Sequence, residues 1–174
     1  MSALTGWRGA ETMVQRMLIT ALIPAADAEA AVSAARCTFD RLVGVGTREA
    51  VFESYATFDH ESADCRNRWG EWPAVTPVRT EPGASLLERQ WAETLTAFLD
   101  RLEQLCEALR AHSSLDLMHD AGGVRRTCSE LGASEGPTIY VYDQYGLGVR
   151  HRGRLDALLK QDEQVWIVPA EVRY

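Results

Sequence analysis

The chain has 174 residues, 46% hydrophobic and 25% charged, the make-up of a globular protein able to bury a sizeable core, which excludes wholesale disorder. A formal net charge of −7 argues against a general nucleic-acid binder, because phosphate contacts need clustered positive charge. No run approaches the roughly 20 apolar residues of a membrane span, and Cys37, Cys65, Cys106 and Cys128 lie far apart with no CxxC pair, as expected of reduced thiols in a cytoplasmic protein.

Residues 1–12 are small, polar and glycine-containing and read as a loose leader ahead of a single domain over 13–174. Met17 to Ile23, with Arg8 and Arg16 upstream and Pro-Ala-Ala after it, has the outline of a secretory leader, but the apolar run is at the short end for one. Arg16 to Ile23 is better read as a short buried strand stopped by Pro24, with a helix over Met13 to Leu22 as its competitor. Asp27 to Val43 is an amphipathic helix: Ala28, Ala31, Val32, Ala35, Phe39 and Leu42 share a face, and Gly44 stands where a C-terminal cap belongs. Glu49 to Asp59 supplies β-branched and aromatic residues and predicts a strand. His60 to Gly70 reads as a polar loop, and Trp72 to Thr80, interrupted by Pro73 and Pro77, as at best an edge strand.

The longest pattern is Ser85 to His112. Trp91, Leu95, Phe98, Leu102, Leu105 and Leu109 follow one another at steps of three and four, with Leu87, Leu99 and Cys106 widening the stripe. Ser85 and Glu88 form a capping-box pair after Pro82-Gly83. Such a helix needs a sheet, other helices or its own copy to cover the stripe. After Ser113-Ser114 come a short helical pattern broken at Gly122-Gly123, a strand over Thr138 to Tyr142, a turn over Asp143 to Gly148, a short helix over Leu155 to Lys160 and a last strand over Val165 to Val168. The chain therefore reads as α+β: a mostly antiparallel sheet covered on one face by two main amphipathic helices. Its start is ferredoxin-like (split βαβ), with a C-terminal β-turn-α-β extension.

Three groups of residues suggest a site. Arg66, Arg68, Trp69 and Trp72 sit in one short segment, and tryptophan and arginine are the types enriched at binding hot spots. Gly146 and Gly148, followed by Arg150, His151, Arg152 and Arg154, have the layout of an anion site, a glycine turn leading into a helix with arginines beside it. The third glycine of a dinucleotide fingerprint and the Gly-Lys-Ser/Thr of a P-loop are missing. His112, Asp116, His119 and Asp120 would share a face, and could hold a divalent metal, if one helix ran through all of them. Ser113-Ser114 argues that it does not. Neither a nucleophile elbow nor a Cys–His pairing is apparent. The leading expectation is a cytoplasmic binding or regulatory protein, homodimeric and acting by contact with a protein partner, inhibitor- or antitoxin-like, with no cofactor. Its alternatives are an enzyme or ligand-binding domain that takes a phosphorylated small molecule at Gly146–Arg154, and a metal-dependent hydrolase through His112 and His119.

Overall fold

Two nine-residue strands carry the molecule: β1 (Arg16–Pro24) and β5 (Val165–Arg173). They run antiparallel in full register, from Arg16 opposite Arg173 to Pro24 opposite Val165. In the computed structural model, residues 15–46, 49–58, 63–119, 121–133, 136–160 and 162–174 are described, so the predicted leader over 1–12 lies outside them. Between the two strands come α1 (Ala28–Leu42), β2 (Ser54–Thr57), α2 (Ala63–Trp69), β3 (Thr76–Pro77), α3 (Glu81–Ala111), α4 (Ser114–His119), α5 (Ala121–Gly132), β4 (Val141–Asp143) and α6 (Arg152–Leu159).

The sheet order is β2-β5-β1-β4, with β3 also on β5. β2 and β3 both lie antiparallel along the outer edge of β5, whereas β4 pairs with β1 in parallel, Thr20 opposite Val141. The sheet is thus mixed: three of its four pairings are antiparallel and one is parallel. A parallel neighbour needs a long crossover, and the helices between β3 and β4 provide the chain length for one.

Helices cover both faces, not one. On one side Met17, Ile19, Ala21 and Ile23 meet Ala31, Ala35, Phe39 and Leu42 of α1. On the other, Leu22 packs with Leu87 of α3 and Leu155 of α6, while Leu18 meets Phe58, Cys65, Trp69 and Trp72. Strands buried on both faces read as continuous apolar runs, which is how Met17 to Ile23 reads. β5 extends well past the predicted Val168 because Pro169 is harmless where it sits. Gln15 and Tyr174 exchange both backbone hydrogen bonds, at 3.1 and 3.0 Å. Bonded pairs alternate along an antiparallel ladder, so Pro169 opposite Thr20 owes β1 no N–H. On its other side Pro169 falls between the stretch paired to β3 (Trp166, Ile167) and the stretch paired to β2 (Ala170 to Arg173).

The long helix is continuous but differs from its sequence reading in two ways. It starts at Glu81, since the Thr80 hydroxyl accepts from the Gly83 N–H at 3.3 Å and proline is at home in a first helical turn. Its buried positions are Gly83, Leu87, Gln90, Thr94 and Leu105; Leu87 and Leu105 belong to the predicted face, but Gln90 and Thr94 are buried in place of their stripe neighbours Trp91 and Leu95. Leu95, Leu99 and Leu102 are 48%, 51% and 37% exposed. Gly83 sets this phase: a Cβ there would lie 2.0 Å from the Pro77 carbonyl oxygen, so α3 reaches β3 only through its glycine.

Candidate functional site

A single buried acid braces the residues beside one open cavity. Glu171 on β5 lies opposite Leu18 of β1, with its side chain 4% exposed. A charge so enclosed must be paired. Arg16 Nη1 donates to its Oε1 at 2.6 Å, and Arg68 Nη1 and Trp69 Nε1 donate to its Oε2 at 2.9 and 2.6 Å. Glu171 therefore fastens α2 to the sheet. The Trp72 indole then donates to the Trp69 carbonyl at 3.2 Å, and the ring sits 6.1 Å from Phe58.

Trp69 and Trp72 form one wall of an open cavity of about 510 Å³. Arg16 and Leu18 of β1 lie at its base, Arg89 and Glu93 of α3 close one side, and Tyr140 and Tyr174 complete it. The Arg89 guanidinium stacks on Trp72, 4.2 Å from the ring centroid, a favourable arrangement worth about 0.5–2 kcal/mol. Unlike Arg16 and Arg68, Arg89 forms no ion pair with a carboxylate among the described residues. Desolvation pushes the Glu93 carboxyl above the usual carboxylate range, with Arg89 pulling the other way. Burial, reinforced by Glu93 and Tyr174, raises the Tyr140 phenol. Behind this wall the Gln90 amide nitrogen donates to Glu93 Oε2 at 3.1 Å, while Gln90 Oε1 and the Thr20 hydroxyl are buried without a partner. Aromatic faces and a cation outside any ion pair among the described residues can receive an anionic or planar group.

The stretch 15–174 matches the protein family described as Domain of unknown function (DUF7995). The chain belongs to this family. No curated protein and no solved structure matches it. The DUF7995 region begins one residue before β1 and ends at Tyr174, so it takes in every residue of the cavity. Among the described residues no helix is long and apolar enough to cross a membrane.

Within this DUF7995 chain the candidate residues fall in three places. Arg68, Trp69 and Trp72 line or brace the cavity, while Arg66 is exposed on α2. The arginines after Gly146 and Gly148 have internal partners. Arg150 donates to the carbonyls of Leu131 and Ala133 and covers the Phe98 ring at 5.5 Å, Arg152 pairs with Glu88 and Asp156, and Arg154 with the buried Asp143. His151 caps α6 by accepting from the Gly153 N–H at 3.1 Å. Gly146, at φ +75°, and Gly148, bridged to Tyr142, shape the turn that Asp143 locks by accepting from Tyr145 N and Leu147 N, both at 2.9 Å.

His112, Asp116 and His119 are exposed, and Asp120 lies outside the described residues. α3 ends with His112 as an extended cap. Ser113 then caps α4, its hydroxyl donating to Asp116 Oδ2 at 2.7 Å, which holds the Asp116 carboxyl below its ordinary range. No group of three or more His, Cys, Asp or Glu among the described residues could hold a metal ion. Sequence reasoning passed over Glu171, Arg16, Arg89 and Glu93. One signal was available: Glu171 is the sole charge in the apolar run Val165 to Val172, and an acid inside a buried strand needs partners.

Proposed function

We propose that this chain is a cytoplasmic binding or regulatory protein that acts by contact with another protein, and that it holds a segment of that partner in the cavity between α2 and α3. The observation that carries the reading is the Arg89–Trp72 stack, a guanidinium held against an aromatic face and in no ion pair with a carboxylate among the described residues. Buried arginine and tryptophan anchors supply most of the binding energy at protein interfaces. The framework we propose is a split βαβ, in which β1 and β2 both run antiparallel to the β5 strand between them.

A random seven-residue peptide library displayed against the full chain tests this. Peptides that bind the wild type should bind the Trp72→Ala/Arg89→Glu double variant at least about tenfold more weakly, the cost of one lost anchor. Failure to recover any binder, or equal binding to the folded variant, would remove the reading.

Self-association is a second reading, supported by the exposed Leu95, Leu99 and Leu102 of α3. Sedimentation should then give a dimer that Leu99→Arg dissociates. A monomer for both proteins at micromolar concentration would end it.

A further inference from the structure

Leu18 lies at the cavity base on a strand whose backbone is only half paired on that side. The bonded exchange between Gln15 and Tyr174 fixes the alternation along β1. Met17, Ile19, Ala21 and Ile23 turn their N–H and C=O groups toward β5. Arg16, Leu18, Thr20 and Leu22 turn theirs to the opposite edge. β4 covers that edge only from Thr20 to Leu22, beginning with the Thr20 N–H donating to the Tyr140 carbonyl at 2.8 Å.

The next bond of this parallel ladder would run from the Tyr140 N–H to the Leu18 carbonyl. It is not made, because Tyr140 N donates to Thr94 Oγ1 of α3 at 3.2 Å. The same hydroxyl donates onward to the Gln90 carbonyl at 3.1 Å, so it is held in place to divert Tyr140. Upstream of Thr20 the edge has no strand beside it among the described residues. What lies there is the cavity, with Arg16 and Leu18 at its base and Tyr140 at its end. Main-chain donors and acceptors left unpaired along a strand edge are a template for another strand.

We infer that an extended, acidic segment of a partner polypeptide adds to β1 alongside Arg16–Leu18, prolonging the line of β4 and setting a carboxylate against Arg89. This rests on the proposal that the cavity binds protein, and it specifies the manner. Arg16 to Leu18 spans about 7 Å at roughly 3.3 Å per residue, so some three residues of the guest form the added strand. Its alternate side chains face the Trp69–Trp72 wall, and the intervening ones face away. The preference for acid follows from the local balance. Arg16 and Arg68 share the buried Glu171, which leaves Arg89 in no ion pair among the described residues, with Glu93 acting on it from beyond ion-pair distance. Counting Arg16, Arg68 and Arg89 against Glu171 and Glu93, the formal charges at the cavity sum to +1, so a guest carboxylate meets a net cationic wall.

The experiment uses the full chain and a seven-residue peptide recovered from the random library. Backbone amide exchange of Arg16 and Leu18, followed by NMR, should slow by about tenfold or more when the peptide is added. N-methylation of the peptide should weaken binding by about tenfold at alternate positions and little at those between, as expected for one lost hydrogen bond. Arg89→Gln should weaken an acidic peptide several-fold and leave its Glu-to-Gln analogue unaffected. A peptide that binds and is weakened by Trp72→Ala, yet leaves Leu18 exchange unchanged and tolerates N-methylation throughout, would overturn strand addition while leaving protein binding intact. A Leu18 amide as protected in the free chain as Ile19 would also overturn it, because the edge would already be paired. Absence of any peptide binding would sink both proposals together.

Discussion

Replacing Glu171 by glutamine tests whether one carboxylate fastens α2 to the sheet. The substitution keeps the volume of the side chain and removes its charge. Three donors point at this carboxylate, from Arg16, Arg68 and Trp69, at 2.6 to 2.9 Å. A hydrogen bond to a charged acceptor contributes about 1.5–3 kcal/mol, so a simple sum gives roughly 4.5–9 kcal/mol. That sum is too high. The Arg16 and Arg68 side chains are 27% and 36% exposed and regain water once released, which discounts their share. The Trp69 N–H has less recourse, and the glutamine amide presents donors to donors. An expected loss of about 3 kcal/mol follows, at the lower end of the cost of breaking a buried pair. Urea denaturation read by circular dichroism should show a lowered midpoint with an unchanged slope, and melting should fall by roughly 6–12 °C for a chain of this size. Arg68→Ala made in the Glu171→Gln background should cost less than in the wild type, since the bond it removes has already been weakened. A loss below about 1 kcal/mol, or fully additive single variants, would show that Glu171 does not hold the helix.

Three further outcomes are expected. Gly83→Ala should destabilise by about 1–3 kcal/mol or more, because the new Cβ meets a backbone carbonyl oxygen rather than a side chain that could swing away; a neutral result in urea denaturation would refute the close approach of α3 to β3. Thr20→Val should stabilise by about 1 kcal/mol, since it replaces a buried hydroxyl without a partner by a methyl group of similar shape, and a loss would show that the hydroxyl is bonded. Burial, with the Asp40 carboxylate accepting from its hydroxyl at 2.9 Å, raises the Tyr55 phenol to about 12. The fold favours the neutral phenol, so its contribution is complete below the ordinary tyrosine value of about 10 and is lost as pH rises through 12. Difference absorbance between wild type and Tyr55→Phe should contain one ionisation near 12, and an ordinary tyrosine midpoint would refute the pairing.

What could be read in advance was set by local chemistry. Arg16 to Ile23 and Asp27 to Val43 emerge nearly as read, because a doubly buried strand and a capped amphipathic helix write themselves in consecutive residues. Asp27 indeed caps α1, accepting from the Ala30 N–H at 2.8 Å. Elsewhere the deciding neighbours lie far off in sequence. Ala63 to Trp69 reads as a polar loop, yet it forms α2, whose Arg68 and Trp69 reach Glu171 more than a hundred residues away. The β2 region shrinks from Glu49–Asp59 to Ser54–Thr57, since only that stretch lies along β5. On α3 the residue with no side chain, not the row of leucines, selects the inward face. The Trp/Arg segment was visible as a group, but its companions Arg89, Glu93 and Tyr140 come from elements that only the folded chain brings beside it.

Pro169 gives the two borders of the sheet different exposure to unwanted neighbours. Past β5, the outer rim is cut into two short pieces with a proline-marked gap between them, and Pro77 sits in the second piece. A stray chain finds no continuous docking line there. Among the described residues the flank of β1 upstream of Thr20 has no such interruption, and bulky indoles shelter it together with Arg89, Tyr140 and Tyr174. Loss of those rings would open a sticky seam on one side of the molecule, and clumping would begin there.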